Sequence, residues 1–490
     1  MNIGMFLSMA ASAAPSQIAV VERSAGIRRM TTYEELAATA AGGARLLDLG
    51  KHDAILYVGV NAIAVPAALF AAARAGVPFV PLNYRLSDDQ LRYLIERFDR
   101  PLIIADEPGR ISTSTRILDP GAWMALAAGA DPLEDRPIDP DGIAVLLYTS
   151  GTTAEPKAAV LRHRHLASYI LGTVEFASAG PGQASLVSVP PYHIAAVANI
   201  LSNLYAGRRL IYLDRFDAQD WLDLAEEQSV THSMVVPTML ARICDHLDEK
   251  ERKAPALATI SYGGARMPAS VITRALRHFP DTGFVNAYGL TETASTIALL
   301  APEDHRAALD SGEPEVRARL GSVGRPLPGV TIGIFDERNN ACPPGVRGEL
   351  RVKGPQVAGE YLGKGSVLSA DGWFHTHDRA YIDAGGYLFI EGRMDDTIIR
   401  GGENIAPTEI EETILAHPAV MDAGVVGVAD EEWGQRIVAH VVPHPDRELR
   451  DSEVKEWVRG QLRSSKTPDD VVFRTELPRT DTGKLLRRLL

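Results

Sequence analysis

The sequence predicts an α/β protein: a large N-terminal domain of helix-covered sheets carrying a β-rich layer, then a small α+β C-terminal domain. Three observations predict it. The first half alternates short apolar strand-like runs with turns and Ala-rich helical stretches, the pattern of parallel strands covered by helices. Between Gly321 and Gly363, glycine and proline thicken around short strand-like runs such as GVTIGIFDE and GELRVKG. After Gly392 the pattern changes, and a charged stretch leads into a helix–strand–strand–helix succession of about a hundred residues.

The elements follow in chain order. MNIGMFLSMAASAAP reads as a short first helix and not as an export leader, because no Lys or Arg precedes its apolar stretch and the first basic residue is Arg23. From Ala54 to Ala73 every residue is apolar except Asn61, a length sufficient to span a bilayer. Yet AILYVGV is strand-like, Asn61 interrupts it, Pro66 follows, and PAALFAAARAG is a helix closed by glycine, so a buried βα unit is expected. Val77–Leu82, Leu102–Asp106 and Ile143–Leu147 are the next short strands. Beyond the hinge-like charges, PTEIEETILAHP and DSEVKEWVRGQLRS read as helices, AGVVGVA and RIVAHVVP as strands.

Composition excludes several function classes. With 490 residues, 46% hydrophobic and 23% charged, the chain is too long for a single small binding module and too balanced for a membrane bundle or a disordered protein. A net charge of −13 repels polyanions, so broad binding to nucleic acid or to an anionic membrane surface is not expected, and the average hydrophobic content argues against integral membrane contact. Two cysteines, Cys244 and Cys342, in a chain large enough to bury its own core point to a reducing, cytoplasmic setting.

Two segments carry chemistry. In LLYTSGTTAEPKAAVLRHRHL an apolar strand runs into the small and hydroxyl residues Thr149–Ala154, then Lys157, then a helix-like stretch. Backbone amides and hydroxyls of such a loop surround phosphate oxygens while Lys157 supplies a cation, although the composition fits a flexible surface turn equally well. It is not a Walker A loop, since no glycine precedes Lys157 and no Ser or Thr follows it. In FVNAYGLTETAS, Tyr288, Thr291 and Glu292 follow a short strand. They offer a stacking face, a phosphate donor and an oxygen ligand suited to Mg²⁺, or simply a capped strand-to-helix turn.

Together the segments carry a resemblance. YTSGTTAEPK, YGLTET, GWFHTHD, GRMDDTIIRGGENIAPTEIE and PRTDTGK stand in the order of the phosphate, adenine–magnesium, ribose, hinge and C-terminal lysine motifs of the adenylate-forming (ANL) superfamily. The chain resembles that superfamily in its acyl-CoA synthetase branch, and TYEEL and GVPFVPLNYRLS resemble its N-terminal region. The resemblance implies a large adenylation domain over 1–394 and a small, mobile C-terminal domain over 395–490. It implies that ATP activates a carboxylic acid to acyl-AMP, and that coenzyme A then displaces AMP on the same site.

Residue by residue, the resemblance assigns Thr149, Ser150, Gly151, Thr152, Thr153 and Lys157 to the phosphates, with Gly264, Ala265, Asn286, Ala287 and Gly289 around the adenine on which Tyr288 stacks. Thr291 would contact the α-phosphate, Glu292 hold Mg²⁺, Asp378 accept from the ribose hydroxyls and Arg393 approach ribose and phosphate. Lys484 would bridge the two anions during adenylation. Asp395 would be the hinge whose rotation withdraws Lys484 and presents Gly401, Gly402 and Glu403 to the incoming thiol. Bringing two anions together requires cations and a metal to offset the developing charge.

Three residues depart from the pattern: Ala154 and Ala158 stand at phosphate-loop glycines, and His377 at the glycine of the ribose motif. A Cβ at a position needing positive φ costs about 1 kcal/mol or more, and the loop must relax. For the acid, His193 stands where amino-acid-activating relatives have an aspartate, and Gly263 and Gly289 are small, so an apolar or aryl acid is expected rather than an α-amino acid. His375 and His377 beside Asp378 mimic a metal cluster without a further ligand set. Transfer to a carrier protein, amine or other nucleophile is the alternative within the same chemistry. A catalytically degenerate nucleotide-binding protein is the alternative of a different class. A homodimer is compatible with all three.

Overall fold

The computed structural model describes residues 1–490 apart from 25–26, 112, 114, 135, 150–155, 446 and 481–482. Two large sheets dominate the first three hundred and ninety or so residues. One runs, edge to edge, Arg325–Pro326, Ser295–Leu300, Gly283–Leu290, Thr259–Gly263, His232–Val235, Ala184–Val187, Arg209–Tyr212, Ile18–Ser24, Ile27–Thr32. Its interior pairs, from Gly283–Leu290 through Ile18–Ser24, are parallel. The other runs Gly365–Ser366, Glu360–Tyr361, Lys157–Arg162, Ile143–Thr149, Phe79–Pro81, Ile55–Val58, Leu102–Ala105, Ile117–Leu118.

Strand alternation divides each sheet's residues between two cores. Ile55, Tyr57, Phe79 and Val145 share one apolar cluster with Val20, Leu210 and Tyr212 of the other sheet, joined by the helices Ala64–Ala75 and Ile194–Ala206. The opposite faces are covered separately, Leu56, Val58 and Val80 in one cluster and Val21, Ile211 and Ile260 in another. The Ala-rich helix Ala64–Ala75 is buried along nearly its whole length, because small side chains let it pack on all sides, and it ends at Gly76 with φ +75°. It belongs to a buried βα unit, as its pattern predicts, and no helix among the described residues is long and apolar enough to cross a membrane. The opening helix, Gly4–Ala13, is also where its apolar stretch places it.

The sheets are mixed, not wholly parallel: each has antiparallel pairs near an edge. One of them changes the reading of the phosphate-loop segment. Lys157 opens a strand, Lys157–Arg162, that returns antiparallel to Ile143–Thr149, and the helix begins only at His163. The apolar AAVL of that strand is buried, which favours a sheet interior over a helix start. Likewise Tyr288 lies within the strand Gly283–Leu290, not after it.

The β-rich layer is a four-stranded antiparallel sheet, Thr331–Phe335, Gly348–Lys353, Phe374–Ile382, Leu388–Arg393. The last part of the chain has its own core. Ile398, Ile410, Ile414, Val425, Ile437 and Val454 pack together beneath the sheet Val420–Asp430, Gly434–Pro443, Asp470–Phe473 and the helices Pro407–Leu415 and Asp451–Gln461.

Candidate active site

A cleft of about 1230 Å³ opens outside the carboxyl ends of the strands Ala184–Val187, Arg209–Tyr212, His232–Val235 and Thr259–Gly263, where open α/β sheets bind ligands. The last part of the chain closes its other wall with Thr480, Gly483, Lys484 and Arg487. Gly264, Ala265, Asn286, Ala287, Tyr288 and Gly289 all line it. The two glycines expected around the acid, Gly263 and Gly289, are demanded by backbone approach. A Cβ on Gly263 would lie 2.3 Å from the Ala287 carbonyl oxygen, and one on Gly289 1.9 Å from that of Ser295. Asn286 is fixed by donating to the Ser322 carbonyl at 3.0 Å.

The most constrained group is Asp378, 5% exposed on the strand Phe374–Ile382. The Tyr288 hydroxyl donates to its Oδ2, and Arg393 Nη1 donates to its Oδ1 at 3.1 Å and to the Thr376 carbonyl at 2.7 Å. The Thr376 hydroxyl accepts from the Asp378 amide at 3.1 Å and donates to the Leu350 carbonyl at 2.7 Å, which fixes the backbone. Burial pushes the Asp378 carboxyl up, and Arg393, Tyr288 and, across the cleft, Lys484 pull it back. A carboxylate has acceptor sites beyond these two bonds, so hydroxyl donors can still be received. Burial, followed by the Asp378 charge, drives the Tyr288 phenol far above its usual range, so it stays protonated as a donor.

Phosphate-side residues form a second cluster. Thr149 ends its strand with its hydroxyl donating to the Lys157 carbonyl at 3.3 Å. Lys157 Nζ stands 6.0 Å from the Tyr361 ring centroid, and the Tyr361 hydroxyl donates to Glu292 Oε1 at 2.6 Å. Thr291 and Glu292 open the 3₁₀ turn Thr291–Thr293, with the Glu292 carbonyl accepting from the amides of Ala358 at 2.8 Å and Gly359 at 3.1 Å. Ser150, Gly151, Thr152, Thr153 and Ala154 lie outside the described residues. Among the described residues no group of three His, Cys, Asp or Glu side chains is arranged for a metal. A lone carboxylate, Glu292, steadied by Tyr361, suits Mg²⁺, which is usually held by one or two carboxylates together with substrate phosphates.

Of the three departures, Ala158 sits in the strand Lys157–Arg162 with no positive φ, while His377 has φ +57°. The ribose-motif position therefore does use the left-handed region that a glycine would occupy without strain.

Other predicted residues are placed elsewhere. His193 precedes the helix Ile194–Ala206 with its ring 4.6 Å from that of Tyr192. Its neighbours Pro190 and Pro191 line the cleft, but His193 itself does not. Its buried Nε2 has no hydrogen-bond partner among the described residues, and burial, assisted by Arg85, lowers the imidazole to about 4. Gly401 and Gly402, at φ +55° and +79°, make the two-residue turn between Ile398–Arg400 and Glu403–Ile405. That turn is held by the Gly401 amide donating to the Trp433 carbonyl at 2.8 Å and by Arg463 donating to the Glu403 carboxylate at 2.5 Å, away from the cleft wall. Asp395 is exposed in the 3₁₀ turn Met394–Asp396, and the adjacent Asp396 accepts from Arg487 at 3.1 Å. Lys484 faces the cleft from a loop where a Cβ on Gly483, itself at φ +79°, would lie 2.8 Å from Thr238 Cγ2.

Sequence reasoning missed Tyr361 and the fixing role of Thr376. Thr376 stood within the ribose segment, between two conspicuous histidines. Tyr361 had no signal beyond its place among glycines in the β-rich stretch.

Comparison with known proteins matches residues 7–362 to the AMP-binding enzyme family and 409–484 to the AMP-binding enzyme C-terminal domain. A feruloyl-CoA synthase of Amycolatopsis sp is 33% identical over 470 residues, 93% of this chain and 92% of that protein. A fatty acid–[acyl-carrier-protein] ligase of Streptomyces coeruleorubidus is 31% identical over 486 residues, 94% of this chain and 91% of the relative. The solved structure of O-succinylbenzoate coenzyme A synthetase from Bacillus subtilis, in complex with ATP and magnesium ion, has a TM-score of 0.84 at 28% identity, covering 99% of this chain and 98% of that one.

Proposed function

The chain belongs to the AMP-binding enzyme family, and on that footing we propose that its function is the ATP-dependent conversion of a carboxylic acid, through acyl-AMP, to acyl-coenzyme A. It is an acid–thiol ligase that takes ATP, a small-molecule acid and CoA as substrates. The observation that carries the site assignment is the convergence on one cleft of Tyr288, Asp378 and Arg393 from the large domain and Lys484 from the C-terminal tail.

In this reading the adenine lies against Tyr288 between Gly264–Ala265 and Asn286–Ala287. Asp378, pinned by Tyr288 and Arg393, accepts from the ribose hydroxyls. Thr149 to Thr153 and Lys157 receive the phosphates, Thr291 the α-phosphate, and Glu292 a magnesium ion that screens phosphate charge. Lys484 brings the acid's carboxylate and the α-phosphate together, an electrostatic contribution realised as the two anions close. The acid occupies the part of the cleft bounded by Gly263, Gly289 and Pro190–Pro191, and it is apolar or aryl. We place the domain boundary between residues 394 and 395. Asp395 is the hinge, and Gly401, Gly402 and Glu403 reach the thiol only after the small domain turns. The described arrangement, with Lys484 at the cleft and the glycine turn away from it, supports an adenylating state.

The test is pyrophosphate release from ATP and Mg²⁺ with acetate, octanoate, palmitate, benzoate and ferulate, each with and without CoA. Acid-dependent release with at least one of them, accelerated by CoA, is expected; no acid-dependent release would leave a degenerate nucleotide binder. Similarity to the Streptomyces carrier-protein ligase makes a phosphopantetheinyl carrier the second reading for the acceptor. Acid-dependent release that CoA fails to accelerate would favour it.

A further inference from the structure

One side-chain ion pair crosses between the two parts of the molecule and involves no residue assigned a role above. Arg266, the residue after Gly264 and Ala265, reaches Glu412 on the helix Pro407–Leu415. Among the described ion pairs it is the one that joins residues 1–394 to residues 395–490. Both partners line the cleft.

The position of Glu412 gives the pair its leverage. Next to it on the same helix, Glu411 is gripped by Arg487 through two bonds of 2.7 Å, and Arg487 lies three residues beyond Lys484. Arg487 also donates to Asp396 in the hinge turn at 3.1 Å. One helix therefore holds the lysine-bearing tail through Glu411 and the large domain through Glu412. The Thr408 hydroxyl, at the start of that helix, donates to the Glu391 carbonyl, a second crossing contact. A third is the close seat of Gly483 on Thr238. The Glu411–Arg487 pair lies within the small domain and travels with it, whereas the Arg266–Glu412 pair exists only while the domain is docked as described.

We propose that the Arg266–Glu412 ion pair holds the small domain in the arrangement that presents Lys484 to the cleft, so that Arg266 and Glu412 are positioning residues for adenylation and not for thioester formation. The proposal rests on the two-arrangement reading above. Because Arg266 continues the loop assigned to the adenine, nucleotide binding and domain docking share one segment. Side-chain exposures of 39% and 46% keep the pair partly in water, so its effect is moderate and weakens with salt.

The experiment compares R266E, E412R and the combined R266E/E412R protein in two half-reactions, using the best acid of the panel. One is acid-dependent ATP–pyrophosphate exchange; the other is conversion of supplied acyl-AMP and CoA to thioester. Each single reversal should slow exchange about three- to tenfold, and the combined protein should return to within about twofold of the parent. Thioester formation from acyl-AMP should change less than about twofold in all three. Glu412→Gln, which keeps size and removes charge, should slow exchange by about threefold, less so at high salt. The proposal is overturned if exchange is unchanged in the single reversals, if both half-reactions fall equally, or if the combined protein is no better than the singles. Lys484→Ala is measured alongside: loss confined to exchange keeps the two-arrangement reading whatever Arg266 does, and equal loss in both halves removes that reading and the proposal together.

Discussion

His377 offers a direct test of how this chain tolerates its departure at the ribose site. It lies on Phe374–Ile382, where Phe374, Thr376, Asp378 and Ala380 face inward and His377 faces out, at φ +57°. A Cβ in that region costs about 1–2 kcal/mol. The imidazole returns little. It is 59% exposed and stands 3.7 Å from Glu349, whose carboxylate is already engaged by Arg351 at 2.8 Å and His375 at 3.0 Å. His377→Ala therefore removes the ring but keeps the strain, and should shift stability by no more than about 0.5 kcal/mol. His377→Gly removes both. Strain relief of about 1–2 kcal/mol, less about 0.4–1 kcal/mol of added freedom in the unfolded chain, spans about 0–1.6 kcal/mol, and its midpoint makes the glycine variant about 0.8 kcal/mol more stable than the alanine one. Urea unfolding of the three proteins in parallel reads the difference, provided the slopes agree. Asp378 keeps its bonds to Tyr288, Arg393 and Thr376 in both variants, so the apparent KM for ATP should stay within about twofold. A glycine variant no more stable than the alanine variant would refute the strain argument. A large rise in KM for ATP in both would show that the imidazole itself meets the nucleotide.

Lys484→Ala should depress acid-dependent pyrophosphate exchange by about 10²–10³-fold while sparing thioester formation from supplied acyl-AMP; equal losses would contradict its assignment to the first step. Glu292→Gln should raise the Mg²⁺ concentration needed for half-maximal exchange, and Tyr361→Phe should do so more weakly by freeing the carboxylate it steadies; an unchanged Mg²⁺ dependence would remove both from the metal's surroundings. His163, His165, His193 and His232 are each lowered by burial from an ordinary 6.5 to about 4, so between those values the unfolded chain binds protons that the native state refuses. Stability is then full above about pH 6.5 and falls towards pH 4, each group contributing about 1.4 kcal/mol per pH unit inside the window. His163→Leu, replacing a fully buried ring with no hydrogen-bond partner among the described residues, should flatten that slope by one proton in urea midpoints taken at pH 5 and 7; an unchanged slope would refute the buried-neutral assignment.

What the sequence made legible was whatever local chemistry decides. The helix Ala64–Ala75 followed from alanine density and a closing glycine, and the helix Pro407–Leu415 from its opening proline and apolar spacing. Asp378, Tyr288 and Lys484 were singled out through the resemblance their motifs carry, and the structure brings all three to one cleft. The strand Lys157–Arg162 was not found, because KAAVLRHRHL carries no breaker where strand passes to helix and only pairing with Ile143–Thr149 decides between them. Contacts distant in sequence left no trace at all: nothing near Glu292 announces Tyr361, and nothing near Arg266 announces Glu412. His193 was singled out by its neighbours, yet whether its ring meets the cleft depends on the turn at Pro190–Pro191, a matter of tertiary packing.

The central claim, acid activation by adenylate transfer followed by thioester formation, is tested most directly by product stoichiometry. Enzyme, ATP, Mg²⁺, CoA and the best acid of the panel are incubated, and nucleotides and thioester are quantified together by chromatography and mass spectrometry. One AMP and one pyrophosphate per acyl-CoA is predicted, with acyl-AMP accumulating when CoA is left out. ADP and phosphate in place of AMP and pyrophosphate, or thioester without acid-dependent AMP, would contradict it.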